Sequence, residues 1–265
     1  SGLTRLKTLY LDGNPISDLT PLYSLTSLKT LSMKDIEVGQ SQLAELQDAL
    51  PGCSIYSDDA VEEVVDVQLG SRTFKSDVTE LDLSGQRLTD ISELSKCKKL
   101  VSLNLSSNSI SDISVLVDLQ ELQSLNISGN SIADLNPLLS LQRLQILNAA
   151  DNVVSDISVT GHLPELRQLE LGGNTIETGI ASLGKLTKLE GLGLKATGVT
   201  DEQLEELYTL TSLKSLNLED NDELSANGVD ALQDKLVGCA IEVGELSYAV
   251  KFGNETFRSD ETSIT

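Results

Sequence analysis

Aromatic residues are scarce in this chain, which has no tryptophan and only 3% Phe, Trp and Tyr among its 265 residues. An interior built on large aromatic side chains is therefore excluded, and any core must be aliphatic. Histidine occurs once, at His162, with no cysteine placed to use it as a base. Neither a CxxC nor an HxxxH spacing for a metal is present. The sequence thus predicts no enzyme and no cofactor.

Basic residues are also few: 19 Lys and Arg stand against 41 Asp and Glu, giving a formal net charge of −22. Phosphate recognition needs a basic face, so nucleic acid is excluded as a main partner. The same deficit argues against an anionic membrane surface. No apolar run approaches the roughly 18–20 residues of a membrane span, so we expect no membrane insertion in this fragment.

Cysteine is limited to Cys53, Cys97 and Cys239, which lie far apart in the sequence. This spacing does not support a disulfide framework. All three are interpreted as buried thiols, and Cys97 occupies the position of Leu119 and Leu141 in the following repeats.

What the chain does contain is a repeat. Residues 100–121 read LVSLNLSSNSISDISVLVDLQE, and residues 122–143 read LQSLNISGNSIADLNPLLSLQR. Both follow the 22-residue template LxxLxLxxNxIxDLxxLxxLxx, and such a fixed period indicates a solenoid of leucine-rich repeats. The alternation within the L-x-L segment predicts a short strand, with Leu103 and Leu105 inward and Asn104 outward. Asn108 ends the strand, where its amide is expected to bind backbone groups of neighbouring repeats.

A longer duplication overlies the repeats. Residues 22–35 (LYSLTSLKTLSMKD) match residues 207–220 (LYTLTSLKSLNLED), and residues 67–81 match residues 250–264. The alternation around Gly70 and its counterpart Gly253 predicts two β-hairpins. Helices are expected at 41–50, 201–210 and 226–236, and an irregular outer side is expected from Val78 to about His162. The predicted organisation is the end of a preceding module at 1–53, a hairpin junction at 54–77, a complete module of seven repeats at 78–240, and a second junction with the start of a further module at 241–265.

The template resembles the internalin-like bacterial leucine-rich repeats over roughly residues 3–53 and 78–240. Position nine of the repeat is Asn14, Asn108, Asn130, Asn152, Asn174 and Asn221, but it becomes Ile36, Gln86 and Thr197 in three repeats. The resemblance implies an α/β solenoid, a right-handed superhelix with a parallel sheet on its concave face, here interrupted by a hairpin insert. It also implies protein recognition on that face, often at a bacterial surface.

The concave face is the candidate site, because the outward positions three, five and seven of each repeat form continuous columns there. The fifth and seventh columns together form a ladder of Asn and Ser in the middle, with few of the Tyr, Trp or Arg anchors that dominate strong interfaces. The candidate ligand-binding residues are Tyr10, Asp82, Asn104, Asn126, Asn148, Arg167, Glu170 and Asn217. A ladder that only keeps the sheet soluble is the competing interpretation.

Three functions remain open from the sequence. The first is a non-catalytic interaction module for a protein, peptide or glycan, within a larger bacterial surface or secreted protein. The second is an intracellular regulatory or scaffold subunit that docks an enzyme. The third is the recognition domain of a larger enzyme.

Overall fold

The computed structural model describes residues 3–58 and 64–244, together with the backbone of residues 249–252 and 255–258. It divides into two compact units, residues 1–65 and 66–265, here called the first and second units. The start of a further module, expected at 262–264, lies outside the described residues.

The first unit contains a three-stranded parallel sheet in chain order. Its strands are β1 (Thr8–Tyr10), β2 (Thr30–Met33) and β3 (Ser54–Ser57). A 3-10 turn at Thr20–Leu22 follows β1, and helix α1 (Gln40–Ala49) follows β2, one residue from the prediction. Leucines from the strands, turn and helix form one aliphatic core.

The second unit contains an eight-stranded parallel sheet, again in chain order, which confirms the predicted solenoid. Its strands are β6 (Glu80–Asp82), β7 (Ser102–Asn104), β8 (Ser124–Asn126), β9 (Ile146–Asn148), β10 (Gln168–Glu170), β11 (Gly191–Gly193), β12 (Ser215–Asn217) and β13 (Ala240–Glu242). The middle residue of each three-residue strand points inward, and from β6 to β12 it is a buried leucine. Burying such a side chain contributes about 1.5–3 kcal/mol, so the stacked leucines are the main source of stability.

A hairpin of β4 (Asp66–Leu69) and β5 (Arg72–Lys75) precedes this sheet, as predicted. Val67 and Leu69 are buried, and Phe74 packs against the same core as the repeats. The second predicted hairpin is present as antiparallel β14 (Ala249–Phe252) and β15 (Glu255–Arg258).

The outer side of the repeats differs from the prediction of an irregular chain between Val78 and His162. Each repeat there forms a 3-10 turn instead, at Ser92–Lys96, Ser114–Asp118, Asn136–Ser140 and Ser158–His162. An aspartate two residues before the turn accepts the first N–H, as Asp112 Oδ1 does from Ser114 N at 2.8 Å. A single tight turn suits this short stretch because it has to bury only one or two side chains, such as Leu116.

Longer repeats carry helices, although the helix predicted at 201–210 is shorter than expected. Helix α3 (Asp201–Leu204) begins with a capping box at Thr200 and Gln203, then continues as a 3-10 turn at Glu205–Leu207. Buried residues recur every three positions at Leu204, Leu207 and Leu210, which is the 3-10 period. The short helix α2 (Ile180–Leu183) was not predicted, and α4 (Ala226–Lys235) matches its prediction.

The asparagines at position nine join successive repeats, as expected. Asn108 Nδ2 donates to the carbonyl oxygens of Leu83 at 2.9 Å and Leu105 at 2.8 Å. Its Oδ1 accepts the N–H groups of Gln86 and Leu88. The same pattern recurs at Asn130, Asn152, Asn174 and Asn221, so backbone groups at the strand ends have partners inside the structure.

The three cysteines are free thiols. Cys97 and Cys239 are buried, but Cys53 is only half-buried, so the prediction of burial is wrong for that residue. Loss of hydration raises the pKa of the three thiols.

Candidate functional site: the concave face of the parallel sheets

The fifth column forms one continuous row across the second unit. The strand registers align Asp82, Asn104, Asn126, Asn148, Glu170, Gly193, Asn217 and Glu242. Neighbouring side chains are therefore about 4.8 Å apart along the row. The candidate residues of this unit, except Arg167, lie together in that row.

The asparagine oxygens of the row have a structural function that the sequence did not reveal. Oδ1 of Asn104, Asn126 and Asn148 accepts the N–H of the residue two positions later, at 3.0–3.1 Å. Asn217 makes the same contact with Glu219 N at 2.9 Å. These bonds end each strand and fix the amide orientation, so at Asn104, Asn126 and Asn148 a ligand has the amide NH2 groups, rather than the oxygens, to bind. Asn217 Nδ2 already donates to Glu242 Oε2 at 3.3 Å.

Asp82 closes one end of the row in the same way, with Oδ1 accepting Ser84 N at 2.9 Å. The N–H and hydroxyl of Ser84 lower the pKa of this carboxyl, with smaller contributions from Asn104 and Arg72. Asp82 is therefore a fixed negative charge at neutral pH beside the neutral asparagines.

Glu170 has a different environment, set by the glycines of β11. A Cβ atom on Gly193 would meet Glu170 Oε2 at 1.7 Å, and one on Gly191 would meet Gln168 Oε1 at 2.0 Å. The side chains of β10 thus lie over β11, in space that the glycines leave open. Glu170 is exposed as a whole residue, but its carboxyl group loses hydration against β11, which raises its pKa.

Arg167 is the candidate that the structure does not place in the row. It precedes β10, at the edge of the sheet that is formed by the N-terminal ends of the strands. There Arg167 Nη1 donates to Glu190 Oε1 at 2.7 Å. Glu190 also pairs with Lys214. The hydrogen bond from Lys214, and to a smaller extent that from Arg167, lowers the pKa of Glu190. Ion pairs Lys188–Glu165 and Arg143–Glu121 continue along this edge. Because Arg167 is already paired, it is not a free anchor.

Tyr10 belongs to the first unit, apart from the other candidates. The registers of β1, β2 and β3 align Tyr10 with Ser32 and Tyr56 in a separate row. Sequence reasoning missed Tyr56 because residues 54–77 were assigned to a junction. The signal was present, since Ile55 and Tyr56 align with Leu31 and Ser32 of the preceding repeat.

Leucine-rich repeat models match this chain in three segments. A model for two copies of the repeat matches residues 4–48 and 77–118, and a single-repeat model matches residues 209–232. A comparison with curated proteins finds no match.

Solved structures extend the likeness over most of the chain. One is an internalin from Listeria monocytogenes, with 23% identity, a TM-score of 0.54, and coverage of 93% of this chain and 71% of that one. Internalin C2 from the same organism gives 21% identity, a TM-score of 0.54, and coverage of 89% and 80%. The chain has the internalin-like leucine-rich repeat fold. A plant example is the ectodomain of the receptor kinase GASSHO1/SCHENGEN3 from Arabidopsis thaliana, with 22% identity, a TM-score of 0.53, and coverage of 91% and 30%.

Few other groups that could support chemistry are present in the described part of the chain. Within it, no group of three or more His, Cys, Asp or Glu residues is arranged to hold a metal ion. His162 is exposed at the end of a 3-10 turn. Among the described helices, none is both long and apolar enough to cross a membrane. The rows of the concave face therefore remain the candidate site.

Proposed function

We propose that this chain is a non-catalytic interaction module that binds a protein or peptide partner on the concave face of its second unit. It would act within a larger bacterial protein that is secreted or displayed at the cell surface. The internalin-like fold supports this proposal, and the Arabidopsis ectodomain of the same fold was solved in complex with CASPARIAN STRIP INTEGRITY FACTOR 2.

The observation that carries the proposal is the fixed orientation of the asparagine row. Because Oδ1 of Asn104, Asn126 and Asn148 is held by the backbone, three NH2 groups are presented in register on a rigid sheet. Rigid presentation lowers the entropy lost on binding. Small neighbours at Ser102 and Ser124 leave access to the row.

Charge suggests which partner fits. The neutral centre of the row is bounded by Asp82 at one end and by Glu170 and Glu242 at the other. A partner segment with hydrogen-bond acceptors at its centre and basic side chains at its ends complements this pattern. With few aromatic anchors, a single module should bind such a segment at about micromolar affinity or weaker.

The test uses peptides selected against the full chain from a random displayed library, with dissociation constants measured by calorimetry. Asn126→Asp keeps an oxygen for Ser128 N but removes the NH2 donor, so we expect binding to weaken at least about tenfold, equivalent to about 1.4 kcal/mol. Ser124→Arg should block the row sterically. Val117→Arg, on the exposed outer side of the preceding repeat, is the matched control and should have no effect. Selected peptides that bind both concave-face variants as well as the native chain would disprove the site.

A further inference from the structure

The first unit carries two exposed tyrosines on one row of its sheet. Tyr10 is 69% exposed and Tyr56 is 54% exposed, while Ser32 between them is 6% exposed. Because the three residues are in register on adjacent strands, the tyrosines are two strand spacings apart, about 9.6 Å at the backbone. Two aromatic side chains thus flank a small buried residue.

The fold itself does not need these tyrosines. The duplicated strands β11, β12 and β13 of the second unit pair in the same register, and they have Gly193, Asn217 and Glu242 in the equivalent row. The scaffold forms without an aromatic side chain at either position. Tyrosine at both positions therefore points to recognition, for which its apolar ring and polar hydroxyl are suited.

Polar rows lie on both sides of the tyrosines. The third column consists of Thr8, Thr30 and Ser54, and the seventh consists of Asp12, Lys34 and Asp58. Residues two apart on a strand point to the same face, so each polar row is about 6.6 Å from the tyrosine row.

Both carboxylates of the seventh column are held in place by hydrogen bonds. Asp12 Oδ1 accepts the Ser32 hydroxyl at 2.6 Å and Lys34 N at 2.7 Å. Asp58 Oδ2 accepts Asp35 N at 2.6 Å. Each carboxylate has a second oxygen for a ligand hydroxyl, and Lys34 between them is a donor.

We propose that the tyrosine row of the first unit binds an extended, uncharged glycan whose chain runs across the strands. The spacing of about 4.8 Å between strands is close to the length of one hexose in an extended chain, so Tyr10 and Tyr56 would stack on alternate rings. The intervening ring spans the gap between the two tyrosines, with Ser32 buried beneath it. The two polar rows hydrogen-bond the sugar hydroxyls along both edges.

The mixed charges of the seventh column favour this ligand over a basic peptide. Lys34 stands between Asp12 and Asp58, so a cation placed there meets repulsion together with attraction. The hydroxyl groups of a neutral sugar chain can accept from Lys34 and donate to the two carboxylates, and an uncharged chain meets no charge repulsion there. This site goes beyond the function proposed for the second unit, since it lies in the other unit and takes another class of ligand.

The experiment measures binding of cellohexaose and chitohexaose, two extended chains, to the full protein by calorimetry. Maltohexaose, which coils, is the comparison sugar. We expect an extended sugar to bind more tightly than maltohexaose, and Tyr10→Ala or Tyr56→Ala to weaken that binding at least about tenfold. Tyr10→Phe and Tyr56→Phe keep the rings and should retain binding within about threefold. With no tryptophan in the chain, tyrosine fluorescence gives a second readout, to which Tyr10 and Tyr56 contribute two of five tyrosines.

Asn126→Asp is the control that separates the two sites, because it should weaken peptide binding in the second unit and leave sugar binding unchanged. Circular dichroism verifies that each variant is folded. The proposal is overturned if no extended sugar binds at millimolar concentration. It is equally overturned if the double variant Tyr10→Ala/Tyr56→Ala binds the sugar as tightly as the native protein does. Finding that the tyrosines are needed to bind a peptide, rather than a sugar, would also overturn it.

Discussion

The three strands of the first unit and strands β11, β12 and β13 of the second unit share one scaffold but present different surfaces. Residues 22–33 and 207–218 are identical at eight of 12 positions, and both sets of strands pair in the same parallel register. Inward leucines such as Leu31 and Leu216 are buried in both. The interior therefore determines the fold, and the outward columns vary without changing it.

The outward differences are systematic. The fifth column changes from two tyrosines around a serine to Gly193, Asn217 and Glu242. In the seventh column the charges are reversed, since Asp12 and Lys34 of the first unit correspond to Lys195 and Glu219 of the second. Equivalent positions thus have different chemistry on the same backbone, as expected when two copies of a module bind different ligands.

Equivalent core substitutions should have the largest effect and test whether the scaffolds are alike. We expect Leu31→Ala and Leu216→Ala each to lower the free energy of unfolding by about 2–5 kcal/mol, because each leaves a cavity in a packed interior. Urea titration followed by circular dichroism measures the loss. Ser215→Ala, on the outward side of β12, should change stability by less than about 0.5 kcal/mol. Equal losses for Ser215→Ala and Leu216→Ala would contradict the assigned faces.

The next largest effect is expected at position nine, which differs between the duplicated repeats that contain Ile36 and Asn221. Asn221 is buried and bonds to Leu194 O at 2.8 Å and Gly198 N at 2.8 Å, while the first unit has buried Ile36 there. Asn221→Ile should cost on the order of 3 kcal/mol, since it leaves buried backbone groups without partners. Ile36→Asn places an amide in an apolar site and should cost about 1–3 kcal/mol. If Asn221→Ile were tolerated, the asparagine bonds would not be needed to join the repeats.

Much of the fold followed from local pattern. The L-x-L alternation predicted the strands of the repeats, and the spacing of Leu43, Leu46 and Leu50 predicted α1 to within one residue. The 3-10 turns were missed because a five-residue turn with one buried leucine, such as Leu116, has no period long enough to recognise.

The site was less predictable, because its properties depend on contacts between repeats. Sequence placed Asn126 outward, but only the structure shows that the backbone holds its oxygen. The sequence predicted Arg167 as an anchor, but in the structure its side chain pairs with Glu190, which lies 23 residues away in the sequence. Tyr56 was missed because β3 follows a helix rather than a regular repeat.

Glu170 of the second unit and Asp12 of the first unit should respond to pH in opposite directions. Lost hydration raises the pKa of Glu170, so the contribution of this group to stability should fall as pH rises from its ordinary pKa through its raised value. Glu170→Gln should remove that loss. Hydrogen bonds from the Ser32 hydroxyl and Lys34 N lower the pKa of Asp12, so its contribution is present above the ordinary pKa and lost as pH falls through the lowered one.

Thermal unfolding of the native chain, Glu170→Gln and Asp12→Asn between about pH 3 and 7 measures these trends. We expect Glu170→Gln to gain stability relative to the native chain only toward the upper end of this range. Asp12→Asn should lose stability relative to the native chain there and approach it at the acidic end. A gain for both variants at neutral pH would contradict the assigned directions.

The reversed charges of the seventh column should have the smallest effect on stability. In the second unit Lys195 Nζ lies 2.9 Å from Glu219 Oε2, and both side chains are substantially exposed. The double variant Lys195→Glu/Glu219→Lys gives this pair the same order of charges as the first unit. Exposed ion pairs contribute about 0–1 kcal/mol, so we expect the free energy of unfolding to change by less than about 0.5 kcal/mol. Because Lys195 Nζ also lies 3.2 Å from Asp220 Oδ2, Lys195→Glu alone brings three acidic side chains together and should cost more than the double variant, by an amount that shrinks as salt is added. A double variant less stable than both single variants would show that the charge order is part of the scaffold and not a property of the surface alone.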